Sequence, residues 1–270
     1  MHTFILNNGI EMPSIGLGVL FAKNDGEVEH AVCSALKSGY RKIDTASAYG
    51  NEEGVGKGMR DSGIDRNDIF LTTKVWNTEQ GYDQTLSSFD ESLKRLQTDY
   101  VDLYLIHWPV KSKYKETYKA MEKLYSEGKA KAIGVCNFSI QQLEDLMEHS
   151  QVVPALNQVE MHPHLSQNEL RAFSKKHKIQ LEAWRPIMMG EVLEIPALVE
   201  IGKSHDKSAV QIALRWLIQR GVAAVPKSVN PKRIAANFSV YDFELTTDQM
   251  QTIESLNQDR RLGEDLSHIE

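Results

Sequence analysis

The chain has 270 residues, 41% of them hydrophobic and 25% charged, and its 31 Lys and Arg against 37 Asp and Glu leave a formal net charge of −6. This balance excludes disordered, collagen-like and disulfide-framework classes. An acidic chain also argues against general nucleic-acid binding, which needs a basic face, and no uncharged apolar run reaches the roughly 18 residues of a membrane span.

The start, Met1-His2-Thr3-Phe4, has no basic region leading into an apolar stretch, so no signal peptide and a cytoplasmic location are expected. Residues 3–6 and 10–12 flank Asn7-Asn8-Gly9 and predict a β-hairpin with an Asn-Gly turn. Eight β-rich runs follow, at 15–18, 41–44, 69–74, 101–107, 130–136, 155–160, 179–184 and 222–225. Amphipathic helix patterns lie between them, such as Leu86, Phe89, Leu93 and Leu96, or Val210, Leu214, Leu217 and Ile218. Capping boxes are expected at Ser139/Gln142, Ser166/Glu169, Ser208/Gln211 and Thr246/Gln249. The two cysteines, Cys33 and Cys136, lie far apart and suggest neither a zinc site nor a disulfide framework.

Eight strand–helix units without a Pro/Gly/Ser-rich linker predict one domain over 1–270, an α/β (β/α)₈ barrel with the hairpin plugging its N-terminal end. An open doubly wound sheet is the alternative. It would carry a Gly-rich phosphate turn after its first strand, and here Gly16-Leu17-Gly18 is followed by Val19-Leu20-Phe21, so that pattern fails at its third glycine.

A (β/α)₈ barrel places its chemistry at the C-terminal ends of the strands. The second strand run ends in Asp44, with Tyr49 five residues on; the third ends in Lys74 and the fourth in His107. The sixth carries Asn157, Gln158 and Glu160, the seventh ends in Trp184, and the eighth leads into Pro226-Lys227-Ser228. A buried Lys74 ammonium beside Tyr49 is expected to pull the phenol's pKa down, with Asp44 holding the lysine and His107 donating a second hydrogen bond. The plainer alternative is a structural Asp–Lys pair beside a packed tyrosine.

From Lys207 to Tyr241 there is no Asp or Glu, while Lys207, Arg215, Arg220, Lys227, Lys232 and Arg233 are cationic. The centre of this stretch follows the last strand, where barrels commonly bind phosphate, and Arg233 falls in the first turn of the next helix, whose exposed N–H groups favour an anion. A solvated basic helix face is the competing reading.

These residues carry a resemblance. Gly39-Tyr40-Arg41-Lys42-Ile43-Asp44-Thr45-Ala46, Tyr49-Gly50-Asn51-Glu52, Asp102-Leu103-Tyr104-Leu105-Ile106-His107-Trp108-Pro109, Gly134-Val135-Cys136-Asn137-Phe138 and Pro226-Lys227-Ser228 resemble the aldo-keto reductase superfamily over nearly the whole chain, in its bacterial diketo-gluconate and methylglyoxal reductase branch. The resemblance implies NADPH as cofactor and a catalytic tetrad of Asp44, Tyr49, Lys74 and His107, with Tyr49 the general acid for carbonyl reduction. It further implies that Asn137 and Gln158 hold the nicotinamide carboxamide and that Trp184 stacks on the ring. Lys227, Ser228 and Arg233 would hold the 2′-phosphate, and Asn237 the adenine.

Three positions depart from the common pattern: Cys136 stands for a serine, Arg185 for a small residue beside the pyrophosphate, and Ala236 for a glutamate. The short connection 108–114 and a tail of only 14 residues after Leu256 suggest an open mouth, with Phe21, Trp76 and Trp108 as candidate walls. Small dicarbonyls, aromatic aldehydes and keto-sugar acids are the expected substrates, Arg260 and Arg261 could attract an anionic one, and the chain is expected to act as a monomer. A metal site at Glu160, His162 and His164 is the weaker chemistry, and a cofactor-sensing subunit the competing function.

Overall fold

A computed structural model describes residues 2–266. The hairpin pairs β1 (Thr3–Ile5) with β2 (Glu11–Pro13) antiparallel, and Gly9, at φ 87°, takes the left-handed turn position that a side chain would strain. Eight parallel strands follow in sequential order: β3 (Leu17–Gly18), β4 (Lys42–Asp44), β5 (Phe70–Val75), β6 (Leu103–Ile106), β7 (Ile133–Cys136), β8 (Leu156–Glu160), β9 (Gln180–Trp184) and β10 (Ala223–Ala224). Bridges Ile15–Ala224 and Gly18–Lys227 join the first of these strands to the last, with Gly16 N–H donating to Ala224 O at 2.9 Å, and so close the sheet into a barrel. The ladders are shorter than the sequence runs. Of 101–107 and 130–136, the first halves meet only at the Val101–Ala130 bridge, as expected where tilted strands overlap briefly.

The period-2 alternation divides the strand residues between two environments. Ile43, Leu71, Tyr104, Ile106, Val135, Val159 and Leu181 face outward into the layer shared with the helices. Phe70, Leu103, Leu105, Ala132 and Leu156 form the apolar lower interior, where Leu6 and Met12 of the hairpin region pack against them. The plug is therefore a hydrophobic one. Asp44, Lys74, Gln158 and Glu182 belong to the polar buried set, on the parity of Lys42 and Trp184.

The outer layer consists of α1 (Glu27–Lys37), α2 (Glu52–Ser62), α3 (Tyr82–Leu96), α4 (Tyr114–Ser126), α5 (Ile140–His149), α6 (Asn168–Lys176), α7 (Pro196–His205), α8 (Ala209–Gln219), α9 (Pro231–Phe238) and α10 (Thr247–Glu254). In α3, Phe89 and Leu96 are buried and Leu86 and Leu93 pack at the edge of the core. In α8, Leu214, Trp216 and Leu217 are fully buried, each contributing about 1.5–3 kcal/mol of transfer free energy. Capping boxes form at Ser139, Ser208 and Thr246. The one expected at Ser166 does not. The helix begins at Asn168 after a left-handed Gln167, and the Ser166 backbone N–H is drawn instead to Asn257 Oδ1 at 2.9 Å, tying down the C-terminal segment. Among the described residues no helix is long and apolar enough to cross a membrane.

Candidate active site

The C-terminal ends of β4, β5 and β6 bring Asp44, Lys74 and His107 together, and the 3-10 turn Ser47–Tyr49 swings Tyr49 over them. The Lys74 ammonium donates to Asp44 Oδ1 at 2.6 Å and to Thr45 O at 2.9 Å, and lies 5.2 Å from the Tyr49 ring centroid. The Tyr49 and His107 rings meet edge to face at 5.6 Å, and Trp76 meets the other side of His107 at 5.0 Å. Glu79 braces the two loops involved: its Oε2 accepts from Ser47 Oγ at 2.6 Å, Ser88 Oγ at 2.9 Å and Trp76 N–H at 3.2 Å.

The electrostatics differ from the expectation in one respect. Burial pushes the Tyr49 phenol up to about 12; Lys74 pulls the other way but does not outweigh the loss of solvation. Burial would lower Lys74, yet the Asp44 carboxylate and Tyr49 together hold it above the usual lysine range. Burial, aided by the Lys74 charge, depresses His107 well below its ordinary value, so the imidazole is neutral. Its Nδ1 is buried without a partner among the described residues. Burial also raises the Cys136 thiol well above its usual range, so it stays protonated.

Beyond His107 the floor continues into amides. Asn137, left-handed at φ 64°, donates from Nδ2 to His107 O at 3.0 Å and accepts at Oδ1 from Trp184 Nε1 at 2.9 Å. Gln158 Nε2 donates to Asp44 Oδ2 at 2.8 Å. Arg185, also left-handed at φ 50°, lies over the Trp184 ring at 5.5 Å, and its Nη1 is buried with no acceptor among the described residues. A buried guanidinium nitrogen without a partner suits a phosphate oxygen.

The basic stretch divides in the fold. Lys207 pairs with Asp242, Arg215 with Glu244 and Arg220 with Glu254, so these three serve the packing of the outer layer. Lys227, Lys232 and Arg233 are exposed at the end of β10 and the start of α9, with no ion pair among the described residues. Ser228 and Asn237 are buried beside them. The expected row of open N–H groups is partly closed: Asn230 Oδ1 already accepts from Lys232 N–H at 3.0 Å and Arg233 N–H at 3.2 Å. Binding an anion there falls mainly to side chains.

The tail is short but does not leave the mouth open. Gln258 and Arg260 N–H donate to His164 O, Leu262 and Gly263 N–H to the Glu160 carboxylate, and Asn77 Nδ2 to Leu266 O at 2.7 Å, so the strand of chain crosses the barrel's face. Gly263 passes so close that a Cβ there would collide with Trp184 Cη2. Residues 267–270 of the predicted tail lie outside the described residues. A cavity of about 920 Å³ remains between this strap and the starts of α5 and α6, walled by Trp108, Asn137 and Trp184. Trp76 meets the His107 ring, whereas Phe21, at φ 61°, is 74% exposed and has no ring contact with the site among the described residues. Arg260 is engaged with Glu191 at 3.1 Å, and Arg261 lies 4.0 Å from Glu160. Glu160 accepts from His162 Nε2 at 3.1 Å, and among the described residues no three His, Cys, Asp or Glu side chains are arranged to hold a metal ion.

Sequence reasoning passed over Glu79, which holds the Tyr49 and Trp76 loops, and read Glu160 as a candidate metal ligand when its carboxylate holds the tail. Glu79 stands in no motif with a spacing of its own. Glu182 and Lys42 were passed over too, although strand parity with Trp184 and Asp44 marks both as inward-facing.

Comparison with known proteins supplies the frame for this geometry. The model of the aldo/keto reductase family matches residues 14–258. Glyoxal reductase of Bacillus subtilis is 51% identical over 261 residues, covering 97% of this chain and 95% of that protein. Methylglyoxal reductase DkgA of Escherichia coli is 44% identical over 264 residues, covering 96% and 95%. The crystal structure of a Bombyx mori aldo-keto reductase in complex with NADP superposes with a TM-score of 0.92 at 35% identity, covering 97% of this chain and 95% of that one.

Proposed function

The chain belongs to the aldo/keto reductase family, an oxidoreductase family of carbonyl reduction, and from that premise we propose that it reduces small aldehydes and dicarbonyls with NADPH, Tyr49 acting as general acid. The observation that carries this reading is the placement of the Tyr49 phenol between the Lys74 ammonium and the neutral His107 ring, with Asp44 behind the lysine.

Bound NADPH would supply the hydride from its nicotinamide ring. The rest is the work of the chain. Tyr49 gives its proton to the substrate oxygen as that oxygen gains charge, and the Lys74 ammonium stabilises the phenolate left behind. Asp44 keeps the ammonium in place. His107, held neutral by burial, donates a hydrogen bond that orients the carbonyl. Asn137, Gln158 and Trp184 would seat the nicotinamide end, Arg185 the pyrophosphate, and Lys227, Ser228, Arg233 and Asn237 the adenosine 2′-phosphate end. The Nη1 of Arg185 and the cations at α9, which have no partners among the described residues, fit such a polyanion.

Among the substrate groups, neutral carbonyls suit the mouth better than keto-sugar acids. The cavity, which adjoins the Tyr49 cluster through Trp108, Asn137 and Trp184 and is not lined by Tyr49 or His107 themselves, carries Glu160, Glu169, Asp259, Glu264 and Asp265 against Arg261, and Arg260 is already paired. The whole chain acts, on this reading, as one barrel domain. The test is loss of absorbance at 340 nm on mixing the protein with NADPH and methylglyoxal or 4-nitrobenzaldehyde. Turnover is expected; NADPH bound without turnover would overturn the reading in favour of a cofactor sensor.

A further inference from the structure

Beneath the Tyr49 cluster the barrel buries a second ion pair that this mechanism does not use. Lys42 and Glu182 are both fully buried, and the Lys42 ammonium donates to Glu182 Oε1. Lys42 stands two residues before Asp44 on β4, and Glu182 two before Trp184 on β9, so each shares the inward parity of a site residue. Gly16 makes room for the lysine stem: a Cβ there would lie 2.8 Å from Lys42 Cγ. The remaining neighbours of the ammonium are Met12 Sδ at 3.0 Å and the Phe70 ring at 5.6 Å, so Glu182 is its charged partner.

Glu182 has a second role in the same place. Gln158 Nε2 donates to Glu182 Oε2 at 2.8 Å as well as to Asp44 Oδ2 at 2.8 Å. Ionised carboxylates accept and cannot donate, so the amide can face them only with its nitrogen. Both hydrogens of that nitrogen are then committed, and Oε1 is the end left for a ligand. With Glu182 gone, Asp44 alone would hold the amide, and a turned Gln158 would present a donor to a nicotinamide carboxamide whose own N–H₂ is also a donor.

We propose that Glu182, charge-balanced by Lys42, is a positioning residue that fixes the Gln158 amide so that its carbonyl oxygen meets the carboxamide N–H₂ of the nicotinamide. This rests on the reading of Gln158 as a nicotinamide contact. The charge-partner and amide-holding roles of Glu182 separate in double variants. Lys42→Met/Glu182→Leu removes both charges without stranding either one and also removes the acceptor for Gln158. Lys42→Met/Glu182→Gln removes the same charges and keeps an acceptor.

The experiment compares binding of NADP⁺ and its 3-acetylpyridine analogue, in which a methyl group replaces the carboxamide nitrogen, by quenching of tryptophan fluorescence. The wild-type protein is expected to prefer NADP⁺ by about 2- to 12-fold, the worth of one hydrogen bond. Lys42→Met/Glu182→Gln should keep that preference, and Lys42→Met/Glu182→Leu should bind the two alike. Should the leucine variant fail to fold, Lys42→Met/Glu182→Met, closer in shape, carries the same expectation. An undiminished preference in the folded leucine or methionine variant would reduce Glu182 to a charge partner and overturn the proposal. Equal binding by the wild type would remove the Gln158 contact itself, and with it both this proposal and the reading beneath it.

Discussion

The two ends of the proposed cofactor site are built on opposite physical plans. At the strand ends, Lys74 and Asp44 are buried and already bonded, and His107 and Tyr49 are locked between aromatic and charged neighbours. At the start of α9, Lys227, Lys232 and Arg233 stand exposed without an ion pair among the described residues. The first arrangement has met its desolvation cost during folding and keeps its geometry through the reaction. The second keeps its charges hydrated and long-ranged, suited to capturing a polyanion but sensitive to salt. Chemistry is placed where reorganisation is least, and affinity where it can be released.

The largest test of the contrast is Tyr49→Phe, which should lower kcat by roughly 10²- to 10⁴-fold, the range for removing a general acid. NADPH binding, measured by fluorescence quenching, should change little, and unchanged turnover would take Tyr49 out of the acid role. Lys74→Met strands the Asp44 carboxylate in the barrel and is expected to cost about 3–5 kcal/mol of stability in urea unfolding. A loss below about 1 kcal/mol would mean the strand-end pair is not truly desolvated.

At the other end, Arg233→Ala should weaken NADPH but not NADH by about 10- to 150-fold at low ionic strength, with the gap narrowing as salt rises. Equal losses for both cofactors would contradict a 2′-phosphate role. The smallest effect concerns pH. His107 is neutral well below its ordinary range and Tyr49 stays protonated up to about 12, so kcat should show no break from these groups between neutral and mildly alkaline pH. Above the ordinary tyrosine pKa the unfolded chain releases its Tyr49 proton before the folded chain does, so stability should fall as pH rises from 10 to about 12. Tyr49→Phe should make that decline shallower in alkaline unfolding, and an identical slope would argue against the burial of this phenol.

The barrel was legible because its signals are local. Runs of alternating apolar residues, three of the four capping boxes and the Asn-Gly hairpin each depend on neighbours a few positions away. The convergence of Asp44, Lys74 and His107 was legible because strand ends come together in any closed barrel. Ser166 misled because a non-local bond, to Asn257, outcompeted its helix cap. The basic stretch misled because charge along a sequence does not reveal which cations have partners: Arg215 and Arg220 are committed to Glu244 and Glu254. The tail misled because its length gives no hint of the Glu160 carboxylate that holds it across the mouth.

What the amino-acid order determined alone is therefore the repeating strand–helix unit, the parity that turns Asp44, Lys74 and Trp184 inward, and the set of reactive groups at one rim. These follow from backbone periodicity, which a dozen residues suffice to express. Only the folded chain decided that burial outweighs Lys74 at the Tyr49 phenol, that Glu182 and Asp44 together take both hydrogens of Gln158, and that Gly263 lies against Trp184. Solvation and hydrogen-bond orientation depend on which atoms from distant segments share a few ångströms, and that is a property of the closed barrel.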